Sequence, residues 1–302
     1  MAAKIVIVGS FNTDLTTYMS KLPRPGETVN GRRFVTGAGG KGSNQAVAAA
    51  RLGAQVTFVG RVGRDAFGDH AINTWKQEGI DTTYVIVDEQ NPTGVAPIFV
   101  EDSGENMIVV ALGANLALNR EDVNRAENAI MGADVVIVQL EITPEISAYA
   151  LEVARRHGVT TILNPAPAIP LPPEMIALAD YVTPNETELE TLAGGEKDID
   201  AGARALLAND AQTFVVTLGG QGAKWITQSG TDQIGAFPVE VVDTTGAGDA
   251  FNGGFAVGLA EGLSLNEAIR FANATAGLAV TRPGTAPSMP QRAEVDALLA
   301  RS

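Results

Sequence analysis

The chain has 302 residues, with 21 Lys and Arg against 35 Asp and Glu for a net charge of −14, two His and no Cys. This balance argues against a nucleic-acid backbone or an anionic membrane as the main partner, since both need a basic face, and without Cys no disulfide, thiolate nucleophile, iron–sulfur cluster or Cys-type zinc site can be built. At 45% hydrophobic and 19% charged residues the composition is that of a folded chain, large enough for one big domain or a domain with an appendage, and its 33 glycines are an excess that asks for an explanation.

In chain order, residues 5–9 form a short apolar run that reads as a buried strand and not as a signal-peptide core. No stretch reaches the roughly 18 to 20 apolar residues of a membrane span, and a cytoplasmic location is expected. Residues 11–36 alternate like strands around a Pro25-Gly26 turn signal, without a helix. A helical period follows at 43–52, then a strand at 56–60 and a helix at 65–78. A second helix-free stretch, 93–112, carries the turn signal Asp102-Ser103-Gly104. Beyond it the pattern predicts a helix at 120–131, a strand at 135–140, a helix at 144–156, strands at 160–164 and 181–183, and helices at 186–193 and 200–208. A strand at 214–218 and helices at 247–260, 265–280 and 292–300 complete the chain.

This alternation predicts an α/β fold, a doubly wound and mostly parallel sheet flanked by helices. The two helix-free stretches predict antiparallel hairpins that pair into one small sheet, a β lid over the carboxyl edge of the main strands. The expected division is a large domain of 1–10, 37–92 and 113–302 and a lid of 11–36 and 93–112.

The run Gly37-Ala38-Gly39-Gly40-Lys41-Gly42-Ser43-Asn44-Gln45-Ala46 leads into an Ala-rich helix. It satisfies G-x-G-x-x-G, but a dinucleotide site wants an acid at the end of the next strand, where Val59-Gly60-Arg61 stands. It is not a Walker A loop either, because Gly42 follows the lysine where Ser or Thr is required. Two readings remain: a loop offering backbone N–H groups, a Lys and an Asn carboxamide to a polyhydroxylated ligand, or a turn that lets two parts of the chain pack.

A second run, Asp243-Thr244-Thr245-Gly246-Ala247-Gly248-Asp249, opens a helix at its positive end. N–H groups from Gly246 to Asp249 would cradle an anion such as phosphate. Asp249 could be a helix-capping acid, but the glycines around it weaken the helix by about 1 kcal/mol each, which capping alone does not recommend. A carboxylate beside an anion cradle is placed to take the proton of a hydroxyl attacking phosphorus. Asn12 and Asp14, just after the first strand, are either ligand-edge or turn residues. Asn185 and Glu188 are either a helix cap or neighbours of a metal-bound phosphate. His157 closes a helix, where a cation is mildly stabilising, and no Ser/His/Asp arrangement is convincing.

Together these motifs resemble the signatures of the PfkB (ribokinase-like) family of sugar kinases. The resemblance runs from Val8-Gly9-Ser10-Phe11-Asn12-Thr13-Asp14 through Leu22-Pro23-Arg24-Pro25-Gly26-Glu27-Thr28 to Thr281-Arg282-Pro283-Gly284. It implies ATP-dependent phosphorylation of a sugar, with D-ribose, made into ribose 5-phosphate, as the expected substrate. Fructose, 2-keto-3-deoxygluconate and adenosine are the alternatives within the class, and a non-catalytic sugar-binding protein is the alternative outside it. By resemblance, Asn12, Asp14, Gly39, Gly40, Lys41, Asn44 and Glu141 bind the pentose. Asp249 is the base, and Gly246, Ala247 and Gly248 form the anion hole. Asn185 and Glu188 lie near Mg²⁺ and the phosphates, while Thr217, Leu218, Gly219, Gly220, Gln221, Gly222, Gly248 and Asn273 bind ATP. A monovalent cation, usually K⁺, is implied at Asp243, Thr245, Ala279, Arg282, Gly284 and Ser288, and a homodimer through the β lids.

Overall fold

A computed structural model describes residues 2–103 and 105–301, so Gly104 of the expected 102–104 turn lies outside the described residues. The strands are β1 (Lys4–Val8), β2 (Asn12–Met19), β3 (Gly31–Gly39), β4 (Gln55–Gly63), β5 (Asp81–Asp88), β6 (Gly94–Glu101), β7 (Asn106–Ile108), β8 (Val135–Val138), β9 (Thr160–Leu163), β10 (Tyr181–Val182), β11 (Thr213–Thr217), β12 (Ala223–Ile226) and β13 (Thr231–Ile234). Nine of them form one sheet in the order β13-β12-β11-β10-β9-β8-β1-β4-β5. It is parallel from β5 across to β11, and only the β11-β12-β13 end is antiparallel.

β1 lies inside this sheet because its apolar residues serve both faces. Ile5 and Ile7 pack into one hydrophobic cluster with the Lys41–Arg51, Ala247–Ala260 and Leu265–Ala279 helices, and Val6 and Val8 pack into the other with the Pro144–Arg156 helix. The first cluster holds Trp75, whose ring lies 4.3 Å from that of Phe58 at a 30° tilt and whose indole N–H donates to Ser43 Oγ at 3.0 Å.

The remaining strands form a separate sheet in the order β3-β2-β6-β7. Each helix-free stretch is an antiparallel hairpin, but the pairing between them, β2 with β6, is parallel. Both strands leave the main sheet at the same root, where Asn12 pairs with Gly94, and so run outward together. β3 returns to that root and ends on Gly39, so Gly37 and Gly39, expected in a loop, are strand residues.

Other differences have local causes. The single helix expected at 120–131 is two, Arg120–Arg125 and Glu127–Met131, broken where Ala126 N–H bonds Val123 O and the backbone tightens. β5 and the β12–β13 hairpin were not read from the sequence; both lie at sheet edges, where exposed polar residues such as Thr231, Asp232 and Gln233 interrupt the apolar pattern. Among the described residues no helix is long and apolar enough to cross a membrane.

Candidate active site

The site begins where β3 meets the Lys41–Arg51 helix. Gly40 turns the chain with φ +87°, and a Cβ there would lie 2.6 Å from Asn12 N and 2.8 Å from Phe11 Cα, so only glycine fits. The turn brings Lys41 N–H to Glu141 Oε2 at 2.8 Å, an oxygen that also accepts from Ser10 Oγ at 2.5 Å and Asn12 Nδ2 at 3.2 Å. Asn12 is fixed in turn by Asn115, whose Nδ2 donates to Asn12 Oδ1 at 3.0 Å. Gly39 leaves room for the Asp14 carboxylate, whose Oδ1 would sit 2.3 Å from any Cβ at that position. Burial pushes the Asp14 carboxyl up to about 6; a bond from Thr285 Oγ1 at 3.1 Å opposes this, and the charges of Glu141 and Asp249 reinforce it.

Asp249 is buried in the first turn of the Ala247–Ala260 helix, which Gly246 opens in the left-handed conformation at φ +78°. Asn44 Nδ2 donates to Asp249 Oδ2 at 2.9 Å and Gln45 Nε2 to Oδ1 at 3.0 Å. Burial raises the Asp249 carboxyl above the ordinary range, the charge of Lys41 and the two amide bonds pull it back, and Glu141 adds to the rise. For Lys41 burial disfavours the ammonium, but the charges of Asp249, Glu141 and Glu188 outweigh it and keep the amine protonated.

Asp249, Lys41, Asn185, Glu188, Thr217, Gly246, Ala247 and Gly248 line one cleft of about 160 Å³. A Cβ at Gly248 would meet nothing within 4 Å, so this helix start faces open space, although Ala247 N–H closes a turn onto Thr244 O at 3.2 Å. Asn185 and Glu188 make a reciprocal cap, each side chain accepting from the other's N–H at 2.8 Å. The capping reading is therefore correct, and the same pair also faces the cleft. Burial is the main cause that raises the Glu188 carboxyl.

The expected nucleotide positions divide. Thr217 is in the cleft, and Leu218 N–H bonds Gly222 O at 2.8 Å around the Gly219–Gln221 turn, with open space beside Gly219 and Gly220. Gly222 and Asn273 instead brace the backbone after β13. A Cβ at Gly222 would meet Ile234 O at 2.1 Å, and Asn273 Nδ2 donates to Ile234 O at 2.9 Å and Gly235 O at 3.2 Å. The expected cation positions come from two segments joined by Asp243, whose carboxylate accepts from Thr245 N–H and Gly284 N–H, both at 2.9 Å. Burial, which raises the Asp243 carboxyl, is outweighed by these bonds, and its pKa is lowered. Ala279 O accepts from Arg282 N–H at 3.2 Å, Ser288 Oγ donates to Thr285 O at 2.7 Å, and the Arg282 guanidinium is turned to Glu294.

Sequence reasoning missed Gln45, Gln139, Asn164, Thr183, Thr244, Asn252 and Thr285. Gln45 was in view within the first glycine run, but an amide carries no signal of its own until its partners are known. His157 is the helix-end residue expected, bonded to Glu127 at 2.9 Å.

Residues 2–292 match the pfkB family carbohydrate kinase profile. The chain belongs to that family. It is 44% identical over 295 residues to a ribokinase of Bacillus subtilis, covering 98% of this chain and 99% of that one. It is also 40% identical over 291 residues to a deoxyribokinase of Salmonella typhi, covering 95% of each. Its fold superimposes with a TM-score of 0.91 on the Arabidopsis thaliana ribokinase complexed with ribose and ATP, at 35% identity over 100% of both chains.

Proposed function

We propose that this carbohydrate kinase transfers the γ-phosphoryl group of ATP to the 5-hydroxyl of D-ribose, giving D-ribose 5-phosphate and ADP. The observation that carries the reading is Asp249, a buried carboxylate gripped by two amides at a glycine-rich helix start, on the cleft it shares with Lys41. Asp249 accepts the O5 proton as O5 bonds to the γ-phosphorus and the bond from phosphorus to the β,γ-bridging oxygen breaks. Gly246, Ala247 and Gly248 offer N–H groups and the positive helix end to the charge on the transferring group, with Ala247 released from its turn onto Thr244. Asn12, Asp14, Gly39, Gly40, Lys41, Asn44 and Glu141 form the sugar pocket, the carboxylates accepting from hydroxyls and the amides and amine donating to them. Thr217, Leu218 and the Gly219–Gln221 turn border the nucleotide.

Two ions belong to this reading. The carboxylate of Glu188 with Asn185 beside it is an oxygen donor set on the cleft, which suits Mg²⁺; bound with ATP, the ion neutralises phosphate charge. Asp243 with the carbonyls and hydroxyl of the 279–288 segment is an all-oxygen set that suits K⁺, and Arg282 keeps its own charge on Glu294. The small sheet serves as the lid that excludes water. Its register puts Phe34, Thr17, Phe99 and Met107 in one row, on the face opposite to Asp14. Phe34 and Met107 are 61% and 55% exposed, which supports a homodimer through this sheet. The use of ATP fits a cytoplasmic enzyme.

The test is ADP release from MgATP with D-ribose, 2-deoxy-D-ribose, D-fructose, 2-keto-3-deoxygluconate and adenosine. The expected order puts D-ribose first in kcat/KM. Preference for another acceptor moves the protein to that kinase, and ribose binding without ADP release with any of them makes it a sugar-binding protein.

A further inference from the structure

We propose that Gln45 is a positioning residue which, with Gln139 behind it, fixes the plane of the Asp249 carboxylate. The inference rests on the reading of Asp249 as the base and concerns what holds it. Gln45 and Gln139 are 0% and 1% exposed, and neither lines the cleft. The direction of the network is set by backbone carbonyls. Asn164 Nδ2 donates to Thr183 O at 3.0 Å, which turns Asn164 Oδ1 towards Gln45. Gln45 Nε2 then gives one hydrogen to Asn164 Oδ1 and the other to Asp249 Oδ1, both at 3.0 Å. Its own Oε1 is left for Gln139, whose Nε2 donates at 2.7 Å. A flipped Gln45 would present an oxygen to two acceptors at once and an NH₂ to a donor, so each partner excludes the flip.

The approach of Gln139 is bought by glycine. A Cβ on Gly9 would lie 2.2 Å from Gln139 Oε1 and one on Gly42 2.9 Å from it, so both glycines leave the amide its space. Asn44 bonds the other oxygen of Asp249, so the two amides of consecutive residues hold the carboxylate by both oxygens. A base held in this way meets the hydroxyl in one orientation, and the two amide bonds oppose the rise that burial gives its carboxyl.

The experiment uses the isosteric, uncharged replacements Gln45→Met and Gln139→Met in the full-length protein. Two readouts are taken: the pH profile of kcat, and the ionisation of Asp249 followed directly by the ¹³C shift of its carboxyl, assigned by its loss in Asp249→Asn. Loss of the Gln45 bond is expected to move the Asp249 titration and the acid limb of kcat upward by about one to two pH units, with KM for ATP unchanged. Gln139→Met is expected to move both in the same direction by less, and it supplies the test if Gln45→Met does not fold. A drop in thermal stability with the titration unmoved in both variants would make the pair ordinary core packing and overturn the proposal. If Asp249→Asn keeps its activity, the base assignment fails, yet the ¹³C titration still decides whether Gln45 governs the ionisation of Asp249.

Discussion

Asp14 offers the most direct physical test of the sugar pocket, because its ionisation can be read without any ligand. Its carboxyl stands at about 6 against an ordinary 3.8, chiefly through burial. For a carboxyl raised on folding, the associated stability is fully present below 3.8 and is lost as the pH rises towards 6. Integrating that linkage between pH 4 and 7 at 1.36 kcal/mol per pH unit gives at most about 2.5 kcal/mol, and solvent at this half-buried group reduces it to about 1–2 kcal/mol. Asp14→Asn removes the ionisation while keeping the shape, so urea unfolding should show the variant gaining that amount on the parent protein between pH 4 and 7. The bond from Thr285 remains available to the amide oxygen, which limits the loss of structure. The same titration predicts that KM for the sugar rises below pH 6 in the parent protein, as the carboxylate stops accepting from a hydroxyl, and is flat in Asp14→Asn. Parallel stability profiles, with a difference that changes by less than about 0.5 kcal/mol between pH 4 and 7, would refute the buried, raised carboxyl at Asp14.

Asp249→Asn is expected to lower kcat by about 10²- to 10⁴-fold with little change in KM for ATP; steady-state kinetics showing most of kcat retained would remove it from the base role. If the proposed K⁺ site holds, replacing K⁺ by Na⁺ should reduce the turnover rate and the melting temperature together, since Asp243 ties the 279–288 segment to the helix start; equal values in both salts would count against the site. Phe34→Asp combined with Met107→Asp should halve the mass seen by sedimentation equilibrium without unfolding the main sheet. A parent protein that sediments as a monomer would exclude the dimer.

The parts of the fold and site that could be read in the sequence are those with a local cause. The 5–9 strand is apolar at every position because both its faces are covered, and the Asp249 helix announces itself by glycines where a helix alone would not place them. The first glycine run shows where such reading stops. Its last glycine before the helix, Gly40, makes a tight turn, but Gly37 and Gly39 continue a strand, and nothing in the run distinguishes the two uses. Asn273 was expected beside the nucleotide, and its amide hydrogens go to Ile234 O and Gly235 O. Gln139 and Asn164 follow the ends of β8 and β9, far from Gln45 in the chain, and only the sheet order, which puts β8 between β1 and β9, brings their amides to Gln45. Such residues carry no spacing signal, because their partners are fixed by topology.

Lys41 decides how an acidic chain holds a polyanionic phosphate donor. The net charge of −14 disfavours ATP at long range, and the cleft itself gathers Asp249 and Glu188. On the protein's side the positive potential comes from Lys41 and the helix start at Gly246, beside the Mg²⁺ proposed at Glu188, so it is local. Lys41 also lowers both Asp249 and Glu188. Removing it therefore has two consequences that can be separated. Lys41→Met is expected to raise KM for MgATP by about tenfold, the worth of one charge-assisted contact. It should also move the acid limb of kcat upward by about one to two pH units, as Asp249 loses its counter-charge. If KM rises while the pH profile stays in place, Lys41 contacts phosphate but does not govern the base, and if the profile moves at unchanged KM, the reverse holds. Neither change in a folded variant would mean that Lys41 governs neither the phosphate nor the base, and the helix start and Mg²⁺ would then have to hold the phosphate charge.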